Sequence, residues 1–173
     1  MEQVAEACQA GKDTIYRRYP SKSALFGAVM AHFRAPVVDE LEHCMNGPGS
    51  PQERLRRYTR ALLAINLRPQ LVALNRVALA EALPTQGVQV PTGEDDPILR
   101  QLTQLVAQAQ ASGDLIEADT AFVAEQLLYA TAIRPLVNTM LGQSTFADST
   151  SQQRYFDQAW QLFMRGAGLT NVD

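Results

Sequence analysis

Between one helix breaker and the next, the apolar residues of this chain recur three and four positions apart. That rhythm points to an all-α fold. The stripe is cleanest after Pro20, where Ser21 is a ready N-cap and Leu25, Phe26, Val29, Met30 and Phe33 follow at i, i+1, i+4, i+5 and i+8. Pro36 lacks an amide donor, yet Val37, Val38, Leu41 and Met45 resume the spacing beyond it. A connector helix from Ser21 to Met45 is therefore expected to bend at Pro36 rather than end, with two helices meeting there as the alternative.

Asn46-Gly-Pro-Gly-Ser-Pro51 breaks the chain next. Beyond it, Gln52 to Asn66 reads as a helix with Leu55, Tyr58, Leu62 and Ile65 inward and Arg54, Arg56, Arg57 and Arg60 mostly solvated. A helix from Gln70 to Leu83 carries Leu71, Leu74, Ala78 and Leu79. The stretch 84–97 is rich in Pro, Gly and Thr and reads as a long loop, with Glu94-Asp95-Asp96 as an acidic helix start. Pro97 to Ala111 is the next helix, and Asp119 or Thr120 caps a long one running to Leu141. This last is apolar over much of its circumference, so it wants more than one neighbour, and a partner subunit is a natural second. A final helix to Arg165 carries Tyr155, Phe156, Ala159, Trp160, Phe163 and Met164, a composition suited to an interface core. No segment needs a strand.

Composition narrows the class. Of 173 residues, 46% are hydrophobic and 19% charged, which argues for an ordered chain. No apolar run approaches the ~18 residues that span a bilayer, and no signal segment leads the chain, so the expectation is a cytoplasmic protein without a membrane partner. Cys8 and Cys44 have no metal spacing and read as reduced, partly buried side chains. His32 and His43 read as ordinary helix residues. Neither a nucleophile arrangement nor a phosphate loop can be read from the sequence, so no enzyme and no cofactor are expected.

Charge is unevenly shared. Through Arg34 the chain has Lys12, Arg17, Arg18, Lys22 and Arg34 against Glu2, Glu6 and Asp13, a net of +2, which leaves −5 for the rest of a chain at −3 overall. A basic module on an acidic body fits one end that meets phosphate and another that does not. Within that module, Val4, Ala5 and Cys8 line one short helix, Gln9-Ala10-Gly11 makes a turn, and Lys12 to Tyr19 makes a second helix crowded with cations, hydroxyls and rings. This is the layout of a helix-turn-helix. Ile15 and Tyr19 share the inward face, which leaves Thr14, Tyr16 and Arg18 to point outward.

With those residues in view, Val4 to Phe33 resembles the DNA-binding region of TetR-family transcriptional regulators. The matching motifs are Val4-Ala5, Thr14-Ile15-Tyr16, Tyr19 and Ser21-Lys22-Ser23-Ala24-Leu25-Phe26. Leu74 to Ala82 and Phe163-Met164-Arg165-Gly166 look like a common subtype of the family's second domain. The resemblance implies an all-α protein: a helix-turn-helix head at 1–34, joined by the long connector to a ligand-binding and dimerisation body at 35–173. It implies double-stranded operator DNA, a small-molecule effector and a homodimer as partners, with Lys12, Thr14, Tyr16, Arg17, Arg18 and Lys22 at the DNA. The sequence departs from the family's Gly-Val-Ser turn: Gln9, Ala10 and Gly11 stand there, so the glycine has moved and the serine cap is gone. A further helix is expected ahead of Val4, which makes the head in this sequence partial.

For the body, the resemblance implies an apolar effector pocket near Leu63, Leu67, Leu71, Asn75, Leu102, Leu105, Tyr129, Ile133 and Met140, with Arg76, Glu81 and Arg134 as polar anchors. It implies a dimer face built from the last two helices, at Phe122, Leu136, Val137, Tyr155, Phe156, Ala159, Trp160 and Phe163. Two functions stand at this point. One is a ligand-responsive dimeric regulator, a repressor released from its operator by an apolar effector. The other is a dimeric small-molecule-binding or protein-interaction domain without DNA binding.

Overall fold

A computed structural model describes residues 1–82 and 96–168 of the chain. Across these residues the backbone is helical, and the pairing of extended chain is confined to one isolated bridge between Leu115 and Gly168. In chain order the helices are α1 (Glu2–Ala7), α2 (Lys12–Arg18), α3 (Lys22–Asn46), α4 (Pro51–Asn66), α5 (Pro69–Ala82), α6 (Pro97–Ala111), α7 (Thr120–Leu128), α8 (Arg134–Met140) and α9 (Ser149–Ala167).

The connector α3 runs unbroken through Pro36. Pro36 is exposed, so the carbonyl it leaves without an amide partner sits on the wet side of the helix while Met30, Val37 and Leu41 face the core. Ser21 caps α3 through Oγ, which accepts from the Ala24 amide at 3.0 Å. At the other end, the Arg57 guanidinium donates to the carbonyls of Cys44 (3.1 Å) and Pro48 (3.0 Å) and closes the helix end against α4.

The core is built around α4 and α6. Leu55, Tyr58, Leu62 and Ile65 meet Leu102, Leu105, Val106 and Ala109, all essentially without solvent exposure. Each fully buried Leu or Ile contributes roughly 1.5–3 kcal/mol by leaving water. The core also takes in Leu41 from α3, Leu71 and Leu74 from α5, Val123 and Leu127 from α7, and Phe156 and Trp160 from α9. Start signals are satisfied where the sequence has them. Ser50 and Glu53 form a capping box on α4, and Asp96, Asp119 and Asp148 cap α6, α7 and α9.

Three expectations change. The arginines of α4 are not all solvated: Arg56 and Arg60 are exposed, but Arg54 and Arg57 are half-buried, with Arg54 donating to the Gln108 side chain at 3.0 Å. Cys8 is exposed rather than partly buried, at the residue that caps the C-terminal end of α1. The long helix toward Leu141 is interrupted by a π-helical turn, Tyr129–Ile133, between α7 and α8. Pro135 follows two residues on and has no amide to give the Thr131 carbonyl, and the Arg134 amide reaches back five residues to the Tyr129 carbonyl. The expected loop at 84–97 and its Glu94-Asp95 lie outside the described residues apart from Asp96 and Pro97.

Candidate nucleic-acid interface and the faces of the body

Residues four apart on a helix stack into ridges, and α2 is short enough to read ridge by ridge. Ile15 and Tyr19 form the half-buried ridge that packs inward. The other ridges, Lys12 with Tyr16, Asp13 with Arg17 and Thr14 with Arg18, are exposed. Tyr16 keeps 40% of its surface in solvent, a large aromatic ring held outward. Lys12 Nζ lies 6.0 Å from the Tyr16 ring centroid, and the Arg18 guanidinium 5.9 Å from that of Tyr19. Lys22 is exposed in the first turn of α3, next to the Ser21 cap. All six residues expected at DNA thus lie on the exposed side of the head, in one short span of chain.

One contact in this patch was not anticipated from the sequence. Lys12 Nζ donates to Glu2 Oε1, joining the first residues of α2 and α1. Hydrogen bonding and charge hold the Glu2 carboxyl below the usual carboxylate range and the Lys12 ammonium above its own. The pairing depends on the turn between the helices, which sequence spacing does not reveal.

Part of the charge of the head is tied to the body. Arg34 donates to Asp96 Oδ1 at 2.7 Å, both side chains 22% exposed, and the same oxygen accepts from the Ile98 amide that opens α6. The Tyr58 hydroxyl sits one step further in, donating to the Ile98 carbonyl at 2.9 Å. Burial, and after it the Asp96 charge, push the Tyr58 phenol well above its ordinary range.

In the body, the residues expected around an effector fall into separate settings. Leu63, Leu71, Leu102 and Leu105 belong to the shared core, with Leu67 packed against it. The Asn75 amide donates to the Leu71 carbonyl at 2.8 Å. Arg76 donates to the carbonyls of Met140 (2.7 Å) and Thr139 (2.9 Å), so it closes the end of α8. Ile133 and Met140 are half-buried, whereas Tyr129 points to solvent. The side chain of Glu81 lies outside the described residues.

Arg134 belongs to a different place, a cleft of about 760 Å³ between α7–α8 and α9. Its guanidinium lies 5.7 Å from the Tyr155 ring centroid, and the Tyr155 hydroxyl donates to the Ala130 carbonyl in the π turn. Phe146, Ala159, Leu162 and Phe163 supply apolar walls. The α7–α8 stretch also carries a row of exposed apolar side chains, Phe122 (60%), Tyr129 (59%), Val137 and Leu141 (71%), and Leu162 (75%) is exposed on α9, where it lines the cleft. Of the residues expected at a dimer face, Phe122 and Val137 are on this row and Tyr155, Ala159 and Phe163 line the cleft. Phe156, Trp160 and Leu136 are buried, the first two in the chain's own core, because α9 turns that ridge toward α4. Leu141 and Leu162, more exposed than any of these, were not singled out for that face, since a helix apolar on several sides does not reveal which side is covered from within.

A short basic helix on an exposed turn, a continuous connector and a helical body with an uncovered apolar face define a class: a helix-turn-helix regulator. The chain matches the profile of the AefR-like transcriptional repressor C-terminal domain over residues 53–166 and that of bacterial regulatory proteins of the tetR family over residues 1–29. It belongs to the TetR family of transcriptional regulators, whose members are non-catalytic DNA-binding proteins. Solved structures share the fold. A TetR-family regulator from Mesorhizobium loti MAFF303099 superposes with a TM-score of 0.76 at 20% identity, covering 97% of this chain and 86% of the other. The flavonoid-responsive regulator FrrA gives 0.66 at 22% identity with the same coverage. A protein of unknown function from Rhodococcus sp. RHA1 gives 0.73 at 16% identity, covering 97% and 84%. No curated protein sequence matches the chain. Among the described residues no helix is long and apolar enough to cross a membrane, and no group of three or more His, Cys, Asp or Glu could hold a metal ion.

Proposed function

We propose that the chain is a homodimeric, effector-responsive repressor that reads operator DNA through α2. The head is assigned to 1–34 and the body to 35–173. The observation that carries the reading is the set of exposed ridges on α2, with Lys12, Thr14, Tyr16, Arg17 and Arg18, joined to the body by an unbroken α3. Lys12, Tyr16 and Lys22 are assigned to phosphates; Thr14, Arg17 and Arg18 are within the same exposed span and supply the base contacts. Repression, rather than activation, is favoured by the match of the body to the AefR-like repressor domain.

Two copies meet across the row of Phe122, Tyr129, Val137, Leu141 and Leu162, with the cleft beside Tyr155, Ala159 and Phe163 receiving partner side chains. The dimer presents two α2 helices to successive major grooves, about 34–36 Å apart. An effector held better by the off-spaced dimer depopulates the DNA-competent one. Its class is apolar or aromatic, to be sought near Leu63, Leu67, Leu71, Asn75 and Met140. The flavonoid response named for FrrA makes a planar flavonoid the first probe.

The test is selection of bound duplexes from a random pool. The expected result is a palindrome with half-sites about 10 bp apart, bound less tightly after Tyr16→Phe or Lys22→Ala. A purified dimer that enriches no sequence would overturn the assignment and leave a dimeric binding domain without DNA recognition. Equal operator affinity with and without bound flavonoid would remove that effector class.

A further inference from the structure

We infer that Glu2 competes with DNA phosphate for Lys12, so that a carboxylate on α1 sets the affinity of this chain for duplex DNA. The inference rests on the proposed reading of α2 as the DNA-facing helix. In the folded head the Lys12 ammonium already has an anionic acceptor, Glu2 Oε1, while its other side lies over the Tyr16 ring. A phosphate oxygen is the same kind of acceptor, singly charged and hydrogen-bonding. When DNA arrives, Lys12 either exchanges the carboxylate for the phosphate or keeps both and draws the Glu2 charge toward the backbone. Each route reduces the net gain from that cation.

The size of the effect is bounded by exposure. The Lys12 and Glu2 side chains are 53% and 77% exposed, so the pair is worth what surface pairs are worth, roughly a two- to five-fold change in a binding constant at low salt. It must fade as salt screens the charges. Glu6 is exposed on the same helix, four residues on, and provides the comparison: removing it changes the net charge of the head equally. Losing Glu2 from the first turn of α1 slightly weakens that helix, which opposes tighter binding and cannot imitate it.

The experiment uses the full chain and a random-sequence duplex of about 30 bp, because phosphate contacts are independent of sequence. Binding is followed by fluorescence anisotropy from about 50 to 200 mM salt. Glu2→Gln is expected to tighten binding roughly two- to five-fold at the lowest salt, more than Glu6→Gln, and in a Lys12→Gln background to gain no more than Glu6→Gln does there. Equal gains from Glu2→Gln and Glu6→Gln overturn the inference, as does an excess of the Glu2→Gln gain over the Glu6→Gln gain that survives in Lys12→Gln. Lys12→Gln made in a Glu2→Gln background should weaken binding; if it does not, Lys12 does not meet DNA and the inference fails, while Tyr16→Phe and Lys22→Ala test the DNA-facing reading of α2 separately.

Discussion

Three helices close on the same backbone motif, one in the head and two in the body. After α6, the amides of Asp114 and Gly113 bond the carbonyls of Ala109 and Gln110; after α8, those of Gln143 and Gly142 bond Asn138 and Thr139. After α1, Ala10 and Gln9 bond Ala5 and Glu6 in the same way. The motif requires a left-handed residue just past the cap. The body places Gly113 (φ +76°) and Gly142 (φ +80°) there, but the head places Gln9 at φ +51°. A side chain in that conformation costs about 1–2 kcal/mol that glycine does not. Burial differs in the same direction: α1 and α2 together bury only Ala5, whereas α4 alone buries Leu55, Tyr58, Thr59, Leu62, Leu63 and Ile65. The body specifies its own structure. The head combines exposed chemistry with a weak local framework.

The strongest way to break this contrast is in the core. Phe156→Ala should destabilise the body by about 3–5 kcal/mol, since the ring is fully buried and stacks near Trp160. Ile15→Ala, at a half-buried position of α2, should leave the main thermal transition in place. Calorimetry of the two variants checks this; similar losses would mean that head and body form one cooperative unit.

The association face comes next. The double variant Phe122→Arg, Leu162→Arg places two charges on the exposed row and should give folded monomers by sedimentation, with unchanged helical content by circular dichroism. An unchanged dimer mass would remove that face from the interface. Arginine at Phe156 or Trp160 would not make this test, because those rings are inside the subunit and the substitution would unfold it.

Tyr58 ties the contrast to pH. Its phenol keeps its proton in the folded chain well beyond the ordinary value of 10.0 that it regains on unfolding. Its contribution is therefore fully present below about pH 10 and is lost as pH rises above it, approaching about 1.4 kcal/mol per pH unit. Tyr58→Phe should flatten the fall in stability between pH 9 and 11. A variant whose profile parallels the unmodified chain would show that Tyr58 ionises freely.

Helix positions were legible because periodicity and caps act locally. Ser21, Asp119 and the run Pro97 to Ala111 behave as their sequence suggests. The exposed α2 ridges were legible for the same reason, since Ile15 and Tyr19 fix the inward face. What needed coordinates was tertiary. Phe156 and Leu162 are both apolar on α9, and only the placement of α4 distinguishes the buried one from the exposed one. Arg76 reads as a polar anchor until α8 ends beside it. The π turn lies just before Pro135, whereas α3 passes through Pro36 as unbroken α-helix, so a proline in the sequence does not by itself reveal such a turn.

The smallest effects test the head itself. Gln9→Gly should stabilise α1 and α2 by about 0.5–1 kcal/mol, the left-handed penalty less the added freedom of the unfolded chain. Gly11→Ser should add a few tenths of a kcal/mol. Gly11 begins α2 without a side-chain bond, and the nearest atom to an added Cβ is Thr14 Oγ1 at 3.7 Å, an ordinary contact. Amide exchange in the full chain separates the contributions: both variants should slow exchange across α1 and α2 and leave α4 and α6 as they were. If neither does, the turn is not what loosens the head. The weakness then lies in the face around the half-buried Val4, which no turn substitution can cover.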